Sequence, residues 1–177
     1  AVAVHNLNKK RDLPEGTVLT ADPLDLARDP DIQIVVELMG GTGAARQLIL
    51  AAMENGKSVV TANKALLAEH GKEIFALAAE KNVALGYEAS SAGAIPVIET
   101  LRDSLAGNHI TSVMGILNGT SNYILSEMNS RGSSFESALA DAQAQGLAEA
   151  DPTLDVDGGD AAHKLVLLIR LAWGVHF

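Results

Sequence analysis

Residues 149–164 read EADPTLDVDGGDAAHK, five carboxylates followed by one lysine, after which the chain enters the apolar run LVLLIRLAW. On a helix, Asp160 and Lys164 are four residues apart and share a face. That spacing fits an exposed ion pair worth roughly a few tenths of a kcal/mol. It also fits a lysine held for chemistry, because the run after Lys164 is too apolar for a surface helix and directs the ammonium toward a cleft beside the acidic loop. DVDGGD has the look of a calcium loop, yet with Gly158 as the turn glycine the first ligand would be Thr153. The twelfth would be Lys164, where a bidentate Glu belongs, which argues against calcium. TANK (61–64) falls where a strand should end and a helix begin, the edge at which open parallel sheets bind ligands. Lys64 there is either a solvated helix-start lysine or a cation at that edge. NGTSN (118–122) likewise joins a strand to a helix. It reads as a plain Asn-Gly turn with a hydroxyl cap, or as backbone N–H groups offered to a ligand.

The elements that must position these residues can be read from periodicity. AVAV at the start is a short strand already in progress, followed by the polar turn HNLNKKR. DIQIVVELMGG is a β-branched run closed by paired glycines, and TGAARQLILAAMENG has helical spacing with Gly56 as its stop. KSVVTANK is a further strand, KALLAEHGKEIFALAAEKN one or two helices broken near Gly71, and VALGYEAS another strand. Strands alternating with helices predict a parallel α/β sheet over residues 1–87. From residue 88 to 177 the rhythm changes to an α+β lobe. It comprises a glycine-containing turn, a helix IPVIETLRDSLAG, a strand HITSVMGIL, helices over SNYILSEMNS and SSFESALADAQAQG, and one long helix from Gly159 to the end. Ser133 and Glu136 are spaced as a capping box, and Gly146 closes that helix.

Composition narrows the function classes. Hydrophobic residues are 47% and charged residues 20%, so a packed globular fold is expected. The net charge of −9 argues against nucleic acid and anionic membrane as partners. With no cysteine there is no disulfide framework, cysteine-type zinc site or thiol nucleophile. No H-x-x-x-H pair occurs among the five histidines, and no G-x-S-x-G elbow supports a serine hydrolase. No stretch has the length of a membrane span or the form of a signal peptide. The expectation is a cytoplasmic protein acting on a small solute.

Taken together, VVELMGG, VVTANKALLAEHG, YEASSAGAIPVI, MGILNGTSNYIL and GLAEADPTLDVDGGDAAHK, in this order, resemble homoserine dehydrogenase from about residue 30 onward. Members of that family interconvert L-aspartate 4-semialdehyde and L-homoserine with NADPH or NADH, on the route to threonine, methionine and isoleucine. The resemblance implies that Glu149 holds the substrate's amino group, with Gly146 nearby. It puts Asp160 by the reacting end, and makes Lys164 the proton donor to the carbonyl oxygen. Lys64 becomes a second acid–base candidate that also touches substrate and cofactor. Gly40, Gly41, Thr61, Asn118, Gly119 and Thr120 would approach the cofactor. A sodium ion would sit on backbone oxygens near Glu88, Ser91, Gly93 and Ile95, and the protein would be a homodimer or homotetramer. A non-catalytic, dimerising fragment of such an enzyme is the alternative. An acyl-phosphate-forming semialdehyde dehydrogenase would need a cysteine.

The chain departs from the family pattern in places. By the resemblance, residues 1–87 are a partial Rossmann-like NAD(P)-binding lobe and residues 88–177 a catalytic and dimerisation lobe; the first strand with its glycine-rich phosphate turn is expected before residue 1, and a return segment after the last helix. Gly146-Leu147 stands where Gly-Tyr is usual, and Ser91 where Val is common. At the end of the second dinucleotide-fold strand, an acid favours NAD and basic groups favour a 2′-phosphate. Here Lys9, Lys10 and Arg11 cluster with no acid before Asp12, so NADP is expected over NAD. In a full-length enzyme carrying this sequence, neutralising the three together should weaken use of NADPH and leave use of NADH nearly unchanged in steady-state kinetics. Equal losses for both cofactors would contradict this.

Overall fold

A computed structural model of the chain describes residues 1–175 and divides into two units, Ala1–Ile98 and Glu99–Val175. In the first unit, β1 (Val2–Ala3) and β2 (Leu19–Thr20) pair in parallel. After α1 (Pro23–Arg28) come β3 (Ile34–Glu37), α2 (Ala44–Glu54), β4 (Ser58–Thr61), α3 (Lys64–Lys81) and β5 (Leu85–Gly86). Strands β3, β4 and β5 form a separate parallel sheet in that order, with Glu37 opposite Thr61 at the carboxyl edge. The α/β class and the helical crossovers are as the periodicity predicts. Alternation is strict: Val35, Glu37, Val59 and Thr61 are buried, while Ile34, Val36 and Val60 are exposed. Helices α1 and α3 both pack against α2, burying Leu48, Ile49, Met53, Leu66 and Ile74. The open side of β3 and strand β1 line one apolar groove of about 670 Å³.

Gly71 does not break α3. It is buried inside an uninterrupted helix capped by the Asn63 side chain at one end and by left-handed Asn82 at the other. A glycine costs a helix only about 1 kcal/mol, which tertiary packing on one face overrides.

The chain enters the second unit through α4 (Val97–Glu99), which runs into one π-helical turn, Thr100–Ser104. Beyond lie α5 (Gly119–Arg131), α6 (Phe135–Ala144), α7 (Thr153–Val156) and α8 (Gly159–Trp173). Ile124, Ala138, Ala142 and Ala148 form a small core, with Tyr123, Met128, Phe135 and Leu139 against it. Three expectations need correction. HITSVMGIL is not a strand: residues 109–117 are irregular, with Met114 91% and Ile116 76% exposed. β-Branched composition is not enough where no neighbouring strand among the described residues meets the backbone groups. The cap of α6 is Ser134, whose hydroxyl accepts from Ser137 N at 3.2 Å, one residue later than the Ser133 spacing suggests. Glu136 follows in the first turn, its carboxyl held below the usual range by its own backbone N–H and then by Ser134. Finally, α8 stops at Trp173 because Gly174 turns left-handed (φ 66°), and positions 176 and 177 lie outside the described residues. No helix among the described residues is long and apolar enough to cross a membrane.

Two ion pairs tie α2 to α3: Arg46 with Glu73, and Lys81 with Glu54 at 2.6 Å. The Arg46 hydrogen bonds hold the Glu73 carboxyl below its usual range. A depressed carboxylate stabilises the fold above its unfolded pKa, and that contribution is lost as pH falls through the folded value. Glu73→Gln should therefore lower the melting temperature by at most roughly a few degrees at neutral pH, the pair being partly exposed to solvent. The difference should vanish on acidification below the ordinary carboxylate range. A deficit unchanged in acid would assign the effect to packing instead.

Candidate functional site

In the first unit the polar groups gather at the carboxyl edge of the three-stranded sheet. Glu37, the last residue of β3, is fully buried. Its Oε1 accepts from the backbone N–H groups of Met39 (2.7 Å) and Gly40 (3.1 Å), and its Oε2 from the Thr61 hydroxyl (2.6 Å). Thr61 Oγ1 in turn accepts from Asn63 N at 3.0 Å. The Asn63 amide donates to the Gly41 carbonyl at 2.8 Å and accepts from Leu66 N at 3.1 Å, capping α3. Gly40 and Gly41 both have positive φ, 74° and 71°, a turn that side chains would strain. The result is a tight backbone turn after β3, bound to the strand–helix junction after β4. Lys64, half-buried, is the first residue of that helix.

Gly40, Gly41, Thr61 and Lys64 thus come together on the edge where parallel sheets take ligands. Lys9 and Lys10 are exposed in the loop after β1, whereas the Arg11 guanidinium is folded back on the carbonyls of Asn6 and Lys9, both at 2.9 Å. In the turn that follows β5, Glu88 Oε1 accepts from Ile98 N at 3.0 Å. The buried Ser91 hydroxyl there has no hydrogen-bond partner among the described residues. Ala92 and Ala94, flanking Gly93 and just before Ile95, take left-handed φ of 53° and 63°. Among the described residues no cluster of three or more His, Asp or Glu side chains is arranged for a metal.

In the second unit the acidic loop folds onto the start of α5. Asn118 caps that helix, its Oδ1 accepting from Ser121 N at 2.7 Å. Its amide nitrogen donates to Asp155 Oδ1 (2.7 Å) and to Asp160 Oδ2 (2.9 Å). The Ser121 hydroxyl adds a bond to the Asp155 carbonyl at 2.7 Å, so α7 is fastened to α5. Asp151 opens α7 through the Thr153 hydroxyl and N–H, donors that lower its pKa, the hydroxyl contributing most. Gly158, left-handed at φ 84°, then turns the chain into α8, and Gly159 passes close by, for a Cβ there would stand 3.0 Å from Leu154 Cδ2 and 3.1 Å from Asp157 Oδ1.

This path delivers Asp160 and Lys164 together. Lys164 Nζ donates to Asp160 Oδ2 (2.5 Å) and to the Leu117 carbonyl (2.6 Å). Their side chains are only 12% and 20% exposed, unlike a solvated ion pair. An ammonium so held has an anion and a carbonyl on one side, and can present its remaining proton to an oxygen on the other. Glu149 is exposed, and its carboxylate makes no hydrogen bond among the described residues; its carbonyl accepts from Gln143 at 3.0 Å. Thr120 gives its hydroxyl to the Leu147 carbonyl at 2.6 Å, just past left-handed Gly146, and Gly119 opens α5.

Four participants were not legible as site residues: Glu37, the Asn63 side chain, Asp155 and the Leu117 carbonyl. Glu37 left a signal, a lone carboxylate inside the apolar run IVVELM, which a buried strand accepts only if donors await it. The other three depend on which loops meet.

The first unit has the form of a nucleotide-binding α/β domain, with its polar groups at the carboxyl edge. The description "Homoserine dehydrogenase, NAD binding domain" matches residues 1–88, and "Homoserine dehydrogenase" matches residues 96–177. The homoserine dehydrogenase of Pseudomonas aeruginosa is 54% identical over 174 residues, 98% of this chain and 40% of that protein. That of Neisseria gonorrhoeae is 52% identical over 166 residues, 94% of this chain and 38% of that protein. The crystal structure of a homoserine dehydrogenase from Thiobacillus denitrificans is similar with a TM-score of 0.91 at 53% identity, over 98% of this chain and 40% of that one. A hyperthermophilic archaeal homoserine dehydrogenase in complex with NADPH is similar with a TM-score of 0.81 at 30% identity, over 87% of this chain and 48% of that one. The chain belongs to the homoserine dehydrogenase family. It spans about 40% of the length of the curated relatives it matches.

The Asn118 geometry generates a test on the chain itself. Asn118→Asp keeps the helix cap but replaces a shared donor by a third carboxylate facing Asp155 and Asp160. Stability should fall by about 1–3 kcal/mol at neutral pH and recover in part on acidification, as the carboxylates share protons. Denaturant unfolding at both pH values checks this, and a variant as stable as the parent at neutral pH would contradict it.

Proposed function

We propose that the protein carrying this chain interconverts L-aspartate 4-semialdehyde and L-homoserine by hydride transfer, within the synthesis of threonine, methionine and isoleucine. The observation that carries the reading is the Lys164 ammonium, held off solvent by Asp160 and the Leu117 carbonyl in a chain of this family. Reduction of an aldehyde places a hydride on the carbonyl carbon and a proton on its oxygen. The nicotinamide cofactor, when bound, supplies the hydride. Lys164 would give the proton from Nζ to the oxygen, stabilising charge as it develops there. Asp160 and the Leu117 carbonyl hold Nζ in place for that transfer, and in the oxidation direction the same nitrogen would take the proton back. The exposed Glu149 carboxylate would meet the substrate's ammonium, beside the Gly146 turn. Lys64 is kept as the second acid–base candidate.

In the first unit the cofactor would approach the Gly40–Gly41 turn, Thr61 and Lys64. The fit rests on paired left-handed glycines at a sheet's carboxyl edge. Exposed Lys9 and Lys10, with no acid beside them, support NADP over NAD. A sodium ion would be held by backbone oxygens near Glu88, Ser91, Gly93 and Ile95. Support for it comes from the left-handed Ala92 and Ala94 and the unpartnered, buried Ser91 hydroxyl. Exposed Met114 and Ile116 support association as a homodimer or homotetramer, and a chain without cysteine suits the cytoplasm.

In a full-length enzyme carrying this sequence, Lys164→Met should lower turnover about 10²-fold or more, with cofactor affinity hardly changed. Asp160→Asn should lower turnover less, because Lys164 Nζ keeps the Leu117 carbonyl while losing its anionic partner. Steady-state kinetics with aspartate semialdehyde across pH decides. Near-normal turnover in the Lys164 variant would reject its role and leave Lys64 as the acid.

A further inference from the structure

Glu37 belongs to none of the roles assigned above, yet its carboxylate contacts both the turn at Gly40 and Thr61, two first-unit segments proposed to receive the cofactor. Through Oε1 it gathers the N–H groups of Met39 and Gly40, which fixes the left-handed turn at Gly40 and Gly41. Through Oε2 it accepts the hydrogen bond donated by the Thr61 hydroxyl, which leaves the Thr61 oxygen facing the N–H of Asn63. Asn63 then closes the circuit, its amide donating to the Gly41 carbonyl while its oxygen caps the helix that Lys64 begins. Backbone N–H groups only donate and the Gly41 carbonyl only accepts, so with Glu37 accepting at both oxygens each bond of the circuit runs in one direction. The cross-strand register, with Glu37 opposite Thr61, makes the arrangement short and rigid, and both residues are fully buried.

We propose that Glu37 is a positioning residue for nicotinamide-cofactor binding, setting the glycine turn after β3 and the Thr61–Lys64 junction in one mutual geometry. The proposal rests on the reading that this edge binds the cofactor. A ligand laid against backbone needs N–H groups and left-handed glycines held at fixed positions before it arrives. Glutamine at position 37 has nearly the same shape but one donor end. With its oxygen kept for Met39 and Gly40, its NH₂ opposes the Thr61 hydroxyl proton. That hydroxyl loses the acceptor of its proton and must rotate away from the position that serves the Asn63 N–H, so the junction before Lys64 loosens while strand packing survives.

The test uses a full-length enzyme carrying this sequence, with NADPH as the probe, measured by calorimetry and by steady-state kinetics. Glu37→Gln should weaken NADPH binding roughly tenfold or more, the scale of a lost bond to a charged group. The KM for aspartate semialdehyde should stay within about twofold, and the melting temperature without cofactor should fall far less than the NADPH-dependent rise in melting temperature. A purely structural role would do the reverse, lowering the cofactor-free melting temperature and the active fraction while leaving NADPH affinity intact. Thr61→Val and Thr61→Ser give a second reading that does not depend on the fold tolerating a change at Glu37. Valine should reproduce the loss of affinity and serine, which keeps the hydroxyl, should restore it. Equal NADPH affinity in the parent and Glu37→Gln, or in the two Thr61 variants, overturns the proposal alone. Failure of the unsubstituted protein to bind NADPH overturns the cofactor reading and the proposal with it.

Discussion

A carboxylate withdrawn from water has to be met by donors, and in both units of this chain a polar edge is organised by that demand. Glu37 is fully buried and is met by two backbone N–H groups and a hydroxyl. Asp160 is nearly buried and is met by the Asn118 amide and the Lys164 ammonium. Removing a donor from either would leave charge in a poorly solvating site, a cost several times the net worth of an ordinary hydrogen bond. The donors are therefore confined, and so are the loops that carry them. The Gly40–Gly41 turn, the cap of α3, the cap of α5 and the docking of α7 each follow from where a carboxylate must find its partners.

The same demand explains why the second unit holds its lysine well with a small core. Few large side chains are buried around α5 and α6, where the inner positions are mostly alanine. Precision around Lys164 comes instead from short polar links: Asn118 to Asp155 and Asp160, Ser121 to the Asp155 carbonyl, and Lys164 to Leu117. Gly159 supplies the close passage that lets Asp160 begin α8 facing these partners. The lysine's place is thus set by residues from three stretches of chain, only one of which contains the lysine.

Much of this was legible in the sequence where the signal is local. The alternation of strands and helices gives the parallel sheet, and the i,i+4 spacing on an apolar helix gives the Asp160–Lys164 pair. The motif order gives the family. What was not legible depends on partners distant in sequence. HITSVMGIL has strand composition, yet no strand among the described residues pairs with it. Gly71 looks like a breaker until the packing of α2 on α3 is known. Asn118 reads equally as a turn residue, a cap or a ligand contact, and only the approach of the acidic loop shows that its amide bridges two carboxylates. Glu37 was visible as an anomaly in an apolar strand, but its donors follow from the β3–β4 register.

The central claim is that the ammonium fixed by Asp160 and Leu117 is the group that meets the reacting oxygen. The most direct measurement is a crystal structure of a full-length enzyme carrying this sequence with NADP⁺ and L-homoserine bound. The account predicts the homoserine hydroxyl oxygen within hydrogen-bond distance of Lys164 Nζ, about 3 Å, with the Asp160 contact retained. A homoserine hydroxyl bound to some other side chain, with Lys164 still turned to Asp160 and Leu117 and out of reach, would contradict it.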